Sequence, residues 1–133
     1  MFKTLIVEDS FIFRKLLKET LQTRFPLMEV TEATDSKEAL QEIESQSPDL
    51  IFIDIKLPGQ NGLDLAKLVK ARYPDIVIAI LTSYDLPEYR EAATRCSADY
   101  FLSKGSATKA EILALVDSIL SNRQSLSGRS PLP

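Results

Sequence analysis

Histidine and tryptophan are absent from this 133-residue chain, and cysteine occurs once, as Cys96. Without histidine the commonest general base is missing, and with it every Ser/His or Cys/His nucleophile arrangement. One cysteine cannot close an internal disulfide, and with no histidine beside it zinc finds too few nitrogen or sulfur ligands. No apolar run reaches the ~20 residues of a membrane-spanning helix, and Met1-Phe2-Lys3 leads into strand-like sequence without a signal peptide. A cytoplasmic location away from membranes is the expectation. An excess of positive charge is lacking too: 16 Lys and Arg against 19 Asp and Glu leave a formal charge of −3. That balance gives no reason to expect direct nucleic-acid binding, which depends on clustered cations. Any chemistry must rest on carboxylates, hydroxyls and lysine.

What is present is ordinary globular material, 44% apolar and 26% charged, of a length that suits one domain. Four apolar runs read as strands: "TLIVED" (4–9), "DLIFIDI" (49–55), "DIVIAILTS" (75–83) and "ADYFLSK" (98–104). A more amphipathic "MEVTEAT" (28–34) lies between the first two and suits a strand nearer an edge. Near-continuous, β-branched hydrophobicity of this kind belongs to a parallel sheet covered on both faces. Helical periods separate the strands. Phe13, Leu16, Leu17 and Leu21 share the face of a first helix, which Asp9 or Ser10 would cap. Ala39, Leu40 and Ile43 line a second, opened by an Asp35/Glu38 capping box, and Leu65, Ala66 and Val69 line a third. The fourth starts near Asp85 or Leu86 with Pro87 in its first turn, and offers only Tyr89, Ala92 and Ala93 for burial. Ile112, Leu113, Val116, Ile119 and Leu120 make the last, with Ser106 as the expected N-cap. Strand and helix alternate five times, which predicts an α/β, flavodoxin-like doubly wound domain with parallel strand order 2-1-3-4-5. The domain is expected over residues 1–121, and the aperiodic segment 122–133 as a flexible tail or linker stub.

In such sheets the site lies beyond the carboxyl ends of the strands. Reading those ends collects Glu8 and Asp9 after the first strand, Asp54 in the third, Thr82 and Ser83 after the fourth and Lys104 after the fifth. Three carboxylates drawn together repel by about 4 kcal/mol per pair at 4 Å in an effective dielectric near 20. A divalent cation resolves the conflict, and an oxygen-only donor set matches Mg²⁺.

The segments "IVEDS", "DLIFIDIKLPGQNGLDL", "AILTS" and "ADYFLSKGS" resemble the CheY-like receiver domain of bacterial two-component response regulators, from about Lys3 to Leu120. The resemblance implies that Asp54 accepts a phosphoryl group from a sensor histidine kinase or phosphotransfer protein. It implies that Asp9, Asp54 and the backbone carbonyl of Lys56 ligate Mg²⁺ and that Glu8 holds it directly or through water. Thr82 would bind a phosphate oxygen, Lys104 would pair with the phosphate and beforehand with Asp54, and Phe101 would be the aromatic switch residue. Lys56 and Tyr84, two residues beyond Asp54 and Thr82, would modulate the lifetime of the phosphorylated state. The change would reach an output domain or protein partner through the face made by the fourth helix, fifth strand and fifth helix, with phosphorylation-dependent homodimerisation as one outcome. The chemistry agrees with this reading. An aspartate nucleophile is already ionised at pH 7 and needs no general base.

Two features depart from the pattern. Gly105 follows Lys104 where many receivers carry proline, which weakens the expectation of a cis peptide there. "KGS" resembles receivers that precede a helix-turn-helix output domain, yet none follows, so the chain reads either as a stand-alone receiver or as a piece of a longer regulator. Rival classes meet specific obstacles. An aspartate-nucleophile phosphatase of the haloacid-dehalogenase type wants a second aspartate where Lys56 stands. A flavodoxin-like cofactor module wants a Ser/Thr/Gly-rich, anion-friendly phosphate loop after the first strand, where "EDSFIFRK" is acidic. A pseudo-receiver that binds partners without phosphorylation keeps the fold and dispenses with the chemistry.

Overall fold

The computed structural model describes residues 1–129, with side chains through Asn122. Strand β1 (Lys3–Val7) leads to α1 (Phe11–Arg24), β2 (Glu29–Ala33), α2 (Ser36–Gln46), β3 (Leu50–Ile53), α3 (Gly62–Arg72), β4 (Val77–Thr82), α4 (Pro87–Arg95), β5 (Tyr100–Ser103) and α5 (Lys109–Arg129). All five strands are parallel, in the order β2-β1-β3-β4-β5 that the alternation predicts. The winding reverses between β1 and β3, which opens a crevice at their carboxyl ends. The expected tail begins at residue 122. The backbone of α5 is helical through Arg129, the side chains beyond Asn122 are outside the described set, and residues 130–133 lie outside it altogether.

Strand alternation sorts the core into two layers. Leu5, Val7, Ile51, Ile53, Ile78 and Ile80 pack with Ala39 and Ile43 of α2, Leu65, Ala66 and Val69 of α3 and Ala93 of α4. On the other face Ile6, Leu50, Phe52, Ala79 and Leu81 meet Leu17 and Leu21 of α1 and Ile112, Val116 and Ile119 of α5. Each fully buried aliphatic contributes about 1.5–3 kcal/mol relative to exposure. Leu16 departs from the expected face and is 56% exposed. The row that enters the core is Phe13, Leu17 and Leu21, spaced by four, and Leu16 sits about 100° off it.

Helix starts follow the sequence with one shift. Ser10 caps α1, its Oγ accepting from Phe13 N–H at 3.4 Å. Asp35 Oδ1 accepts from Glu38 N–H at 2.8 Å, while Glu38 Oε1 reaches back to the N–H and hydroxyl of Thr34 at 2.7 and 2.6 Å. The N-cap of α5 is not Ser106. Ser106 and Ala107 are held in a turn whose N–H groups donate to Ser103 O, and the capping box forms from Thr108 and Glu111. The residue three beyond Ser106 is Lys109, which has no acceptor to return, whereas Thr108 and Glu111 satisfy each other's N–H groups. Among the described residues every peptide bond is trans, Lys104–Gly105 included, and no helix is long and apolar enough to cross a membrane.

Candidate functional site

The sheet itself delivers the site residues to one rim. Glu8 N–H donates to Ala33 O and Asp54 N–H to Val7 O, both at 3.0 Å, and Lys104 N–H donates to Thr82 O at 2.8 Å. Glu8, Asp54 and Lys104 each therefore extend a ladder by one bond past their strands. β3 ends at Ile53, so Asp54 stands one residue beyond the strand rather than inside it. The returning loop explains this. Gly59 turns the chain at φ +80°, and Gly62 comes so close that a Cβ there would lie 1.9 Å from the Asp54 carbonyl oxygen. Only glycine permits that approach to the Asp54 backbone.

Glu8 and Asp54 are buried, 3% and 7% exposed, and Asp9 is exposed beside them. One carboxylate oxygen from each of the three lies within 4.8 Å of the others. Lys104 Nζ donates to Glu8 Oε1 at 2.5 Å and to Asp54 Oδ2 at 3.5 Å. Glu8 Oε2 accepts from Ser10 N–H at 3.0 Å. Burial pushes the Glu8 carboxyl above its ordinary range; the Lys104 and Ser10 hydrogen bonds pull it back, and the Asp54 charge adds to the rise. Asp54 Oδ1 is buried with no hydrogen-bond partner among the described residues. An unpaired buried carboxylate oxygen beside two further carboxylates calls for a ligand. The donor set is oxygen only, so a hard divalent cation of the Mg²⁺ kind fits it.

Thr82 is fully buried at the end of β4; its Oγ1 accepts from Tyr84 N–H at 3.2 Å and makes no hydrogen bond to Asp54 or Lys104. Lys56 and Tyr84 sit together at the rim, both exposed. The Lys56 ammonium lies 5.1 Å from the Tyr84 ring centroid and 5.7 Å from that of Tyr89, and the two rings meet edge to face at 6.1 Å. Phe101 on β5 is partly buried against the core, with the Arg90 guanidinium 4.6 Å from its ring centroid and Arg90 itself paired to Asp85 at 2.6 Å. Several neighbours escaped the sequence reading. Arg14 donates to Glu8 O at 2.8 Å and pairs with Glu32; Tyr89 and Arg90 reach site residues from α4; and Phe13 faces Lys104. Only Phe13 and Tyr89 left a trace in the sequence, as apolar positions on helix faces.

The fold and the rim define a flavodoxin-like domain whose crevice is lined by carboxylates and a lysine, with a donor set suited to a hard cation. The chain belongs to the response regulator receiver domain family, whose model matches residues 4–117, and is thus a receiver of two-component signalling. It is 34% identical across its whole length to the transcriptional regulatory protein HptR of Staphylococcus aureus, covering 53% of that protein. It is 35% identical over 104 residues to the sensory transduction protein LytT of Bacillus subtilis, matching 78% of this chain and 42% of that one. The chain thus spans about half the length, or less, of these curated relatives. Among solved structures, a CheY-like receiver domain protein from Methanospirillum hungatei superposes with a TM-score of 0.85 at 25% identity, covering 94% of this chain and 98% of that one. The BeF3-activated N-terminal receiver domain of Klebsiella pneumoniae RstA gives 0.82 at 26% identity, covering 89% and 97%.

Proposed function

We propose that Asp54 accepts a phosphoryl group from the phosphohistidine of a sensor histidine kinase or phosphotransfer protein. The observation that carries this reading is the Asp54 carboxylate itself: one oxygen faces Lys104 and the other is buried with no hydrogen-bond partner among the described residues. In the transfer an Asp54 oxygen forms the new O–P bond, the N–P bond of the donor breaks, and the imidazole nitrogen keeps the electron pair. Glu8, Asp9, Asp54 and the Lys56 backbone carbonyl would hold Mg²⁺, which when bound supplies positive charge to the phosphoryl oxygens. Lys104 adds a second positive charge, and the Thr82 hydroxyl binds a phosphoryl oxygen. Positioning and charge of this kind are most of what phosphoryl transfer asks of a protein. The domain in this reading turns over no external substrate and assists only its own phosphorylation and hydrolysis.

A phosphoryl group of roughly −1.5 to −2 charge draws Thr82 toward it and vacates space for Phe101 to turn inward. Phe101 has no hydroxyl, so packing and the Arg90 cap decide its rotamer. The α4–β5–α5 face then presents a changed surface to an output domain, a protein partner or a second copy, in the cytoplasm and without direct nucleic-acid contact by this domain. Incubation with acetyl phosphate and Mg²⁺, followed by intact mass, tests the reading. One phosphate adduct on the parent and none on Asp54→Asn is the expected result. No adduct on the parent would leave a phosphorylation-independent binding module, and steady turnover of a small phosphomonoester would mean a phosphatase. Beryllofluoride should shift NMR signals from Thr82 through Lys104, including the Phe101 ring; shifts confined to the neighbours of Asp54 would refute the relay.

A further inference from the structure

Phe13 belongs by periodicity to the core row of α1, and it packs with the Leu17 and Phe52 layer. Its ring nevertheless meets a charge. The Lys104 ammonium lies 4.3 Å from the ring centroid while it donates to Glu8 and Asp54. The cation contacts of Phe11 on the same helix are different in kind, because Arg14 and Lys15 approach it at 5.7 and 6.0 Å on a ring that is 63% exposed. Beside Phe13 the crevice between Glu8, Asp54, Leu17 and Phe52 has no room for a water molecule. The Lys104 side chain is only 15% exposed, so one side of its ammonium is bounded by the aromatic face rather than by solvent.

We propose that Phe13 is a positioning residue that holds the Lys104 ammonium beside the Asp54 carboxylate. The inference rests on the phosphoacceptor reading of Asp54. Lysine is a flexible stem with a compact charge, and left to water it would sample many rotamers. A ring face attracts the cation through its quadrupole, most strongly where water is excluded. It does so without adding a negative charge, which a fourth carboxylate would, and which would repel the incoming phosphoryl group. The ring is anchored from behind by the core, so the hold is made before any donor arrives.

A series with phenylalanines carrying one, two and three fluorines at position 13 tests this, since shape and apolarity are largely kept while the negative face is withdrawn stepwise. The rate of phosphate incorporation from acetyl phosphate with Mg²⁺ should fall stepwise, by about tenfold at the third fluorine, with melting temperatures unchanged. Phe13→Leu should be as slow as the last member. Equal rates across the series would overturn the proposal and return Phe13 to a packing role. A second readout does not depend on phosphorylation: the Lys104 side-chain protons next to the ammonium should resonate at high field in the parent through the ring current, and lose that displacement in Phe13→Leu. Absence of the displacement overturns the proposal outright. A parent that shows it but takes no phosphate counts against the phosphoacceptor reading and leaves the Phe13 contact standing.

Discussion

Helices α4 and α5 flank the same strand, β5, and are held in opposite ways. α5 opens with the reciprocal Thr108–Glu111 cap and buries Ile112, Val116 and Ile119. α4 opens at Leu86 with no side-chain cap and a Pro87 start, and buries only Ala93. Three large aliphatics contribute about 1.5–3 kcal/mol each, whereas one methyl contributes about 0.8 kcal/mol. The difference shows where the domain can rearrange at low cost. The loosely held helix is also the one joined to the rim, through Tyr89 to Lys56 and through Arg90 to Phe101. An element with few anchors and contacts to both the site and the outer face is suited to have two packings of near-equal energy.

The contrast can be broken or sharpened by experiment. The largest effect is expected at the rigid side of the rim, where Asp9→Ala should abolish phosphate incorporation while the circular dichroism spectrum and melting behaviour persist. Incorporation at the parental rate would remove Asp9 from the metal role. Next, Ile119→Ala in α5 should cost about 2–5 kcal/mol of unfolding free energy, against about 1 kcal/mol for Ala93→Gly in α4. Equal losses by urea denaturation would mean that α4 is as firmly docked as α5. Amide hydrogen exchange should agree, with residues 88–95 opening well before residues 112–119.

A smaller effect is expected at the Lys56–Tyr84–Tyr89 cluster. On the phosphoacceptor reading of Asp54, two bulky side chains at the rim would shield the phosphoryl group from in-line water, so the Lys56→Ala, Tyr84→Ala double variant should lose phosphate about tenfold faster, equivalent to about 1.4 kcal/mol of barrier. Slower decay than the parent would refute shielding. The smallest effect concerns a capped helix. Hydrogen bonds from the Thr34 hydroxyl and N–H hold the Glu38 carboxyl below its ordinary value of 4.5. The unfolded chain therefore binds more protons than the folded one in the window beneath that value. The stabilisation is fully present above pH 4.5 and disappears as pH falls through the folded value. Glu38→Gln should lower the melting temperature slightly at pH 7, and the gap should close in acid.

The strand order, the two core layers and the gathering of Glu8, Asp9, Asp54, Thr82 and Lys104 at one rim were all legible in the sequence. The reason is that period-2 and period-3.6 patterns are local, and right-handed crossovers turn a list of elements into one topology. The carboxyl ends of parallel strands must then meet, whatever the loops do. Tertiary structure alone decided the rest. Asp54 stands past its strand because Gly62 returns against its backbone. The α5 cap moved from Ser106 to Thr108 because the Ser103 carbonyl captures the intervening turn. Leu16 faces outward because the Phe13–Leu17–Leu21 row fills the space beneath the helix. Phe13 meets Lys104, and Lys56 meets Tyr84 and Tyr89, across gaps of 91, 28 and 33 residues. A periodic pattern states which face of a helix is apolar. It does not state which charge the edge of that face will touch, since that depends on distances between elements that only the packed sheet establishes.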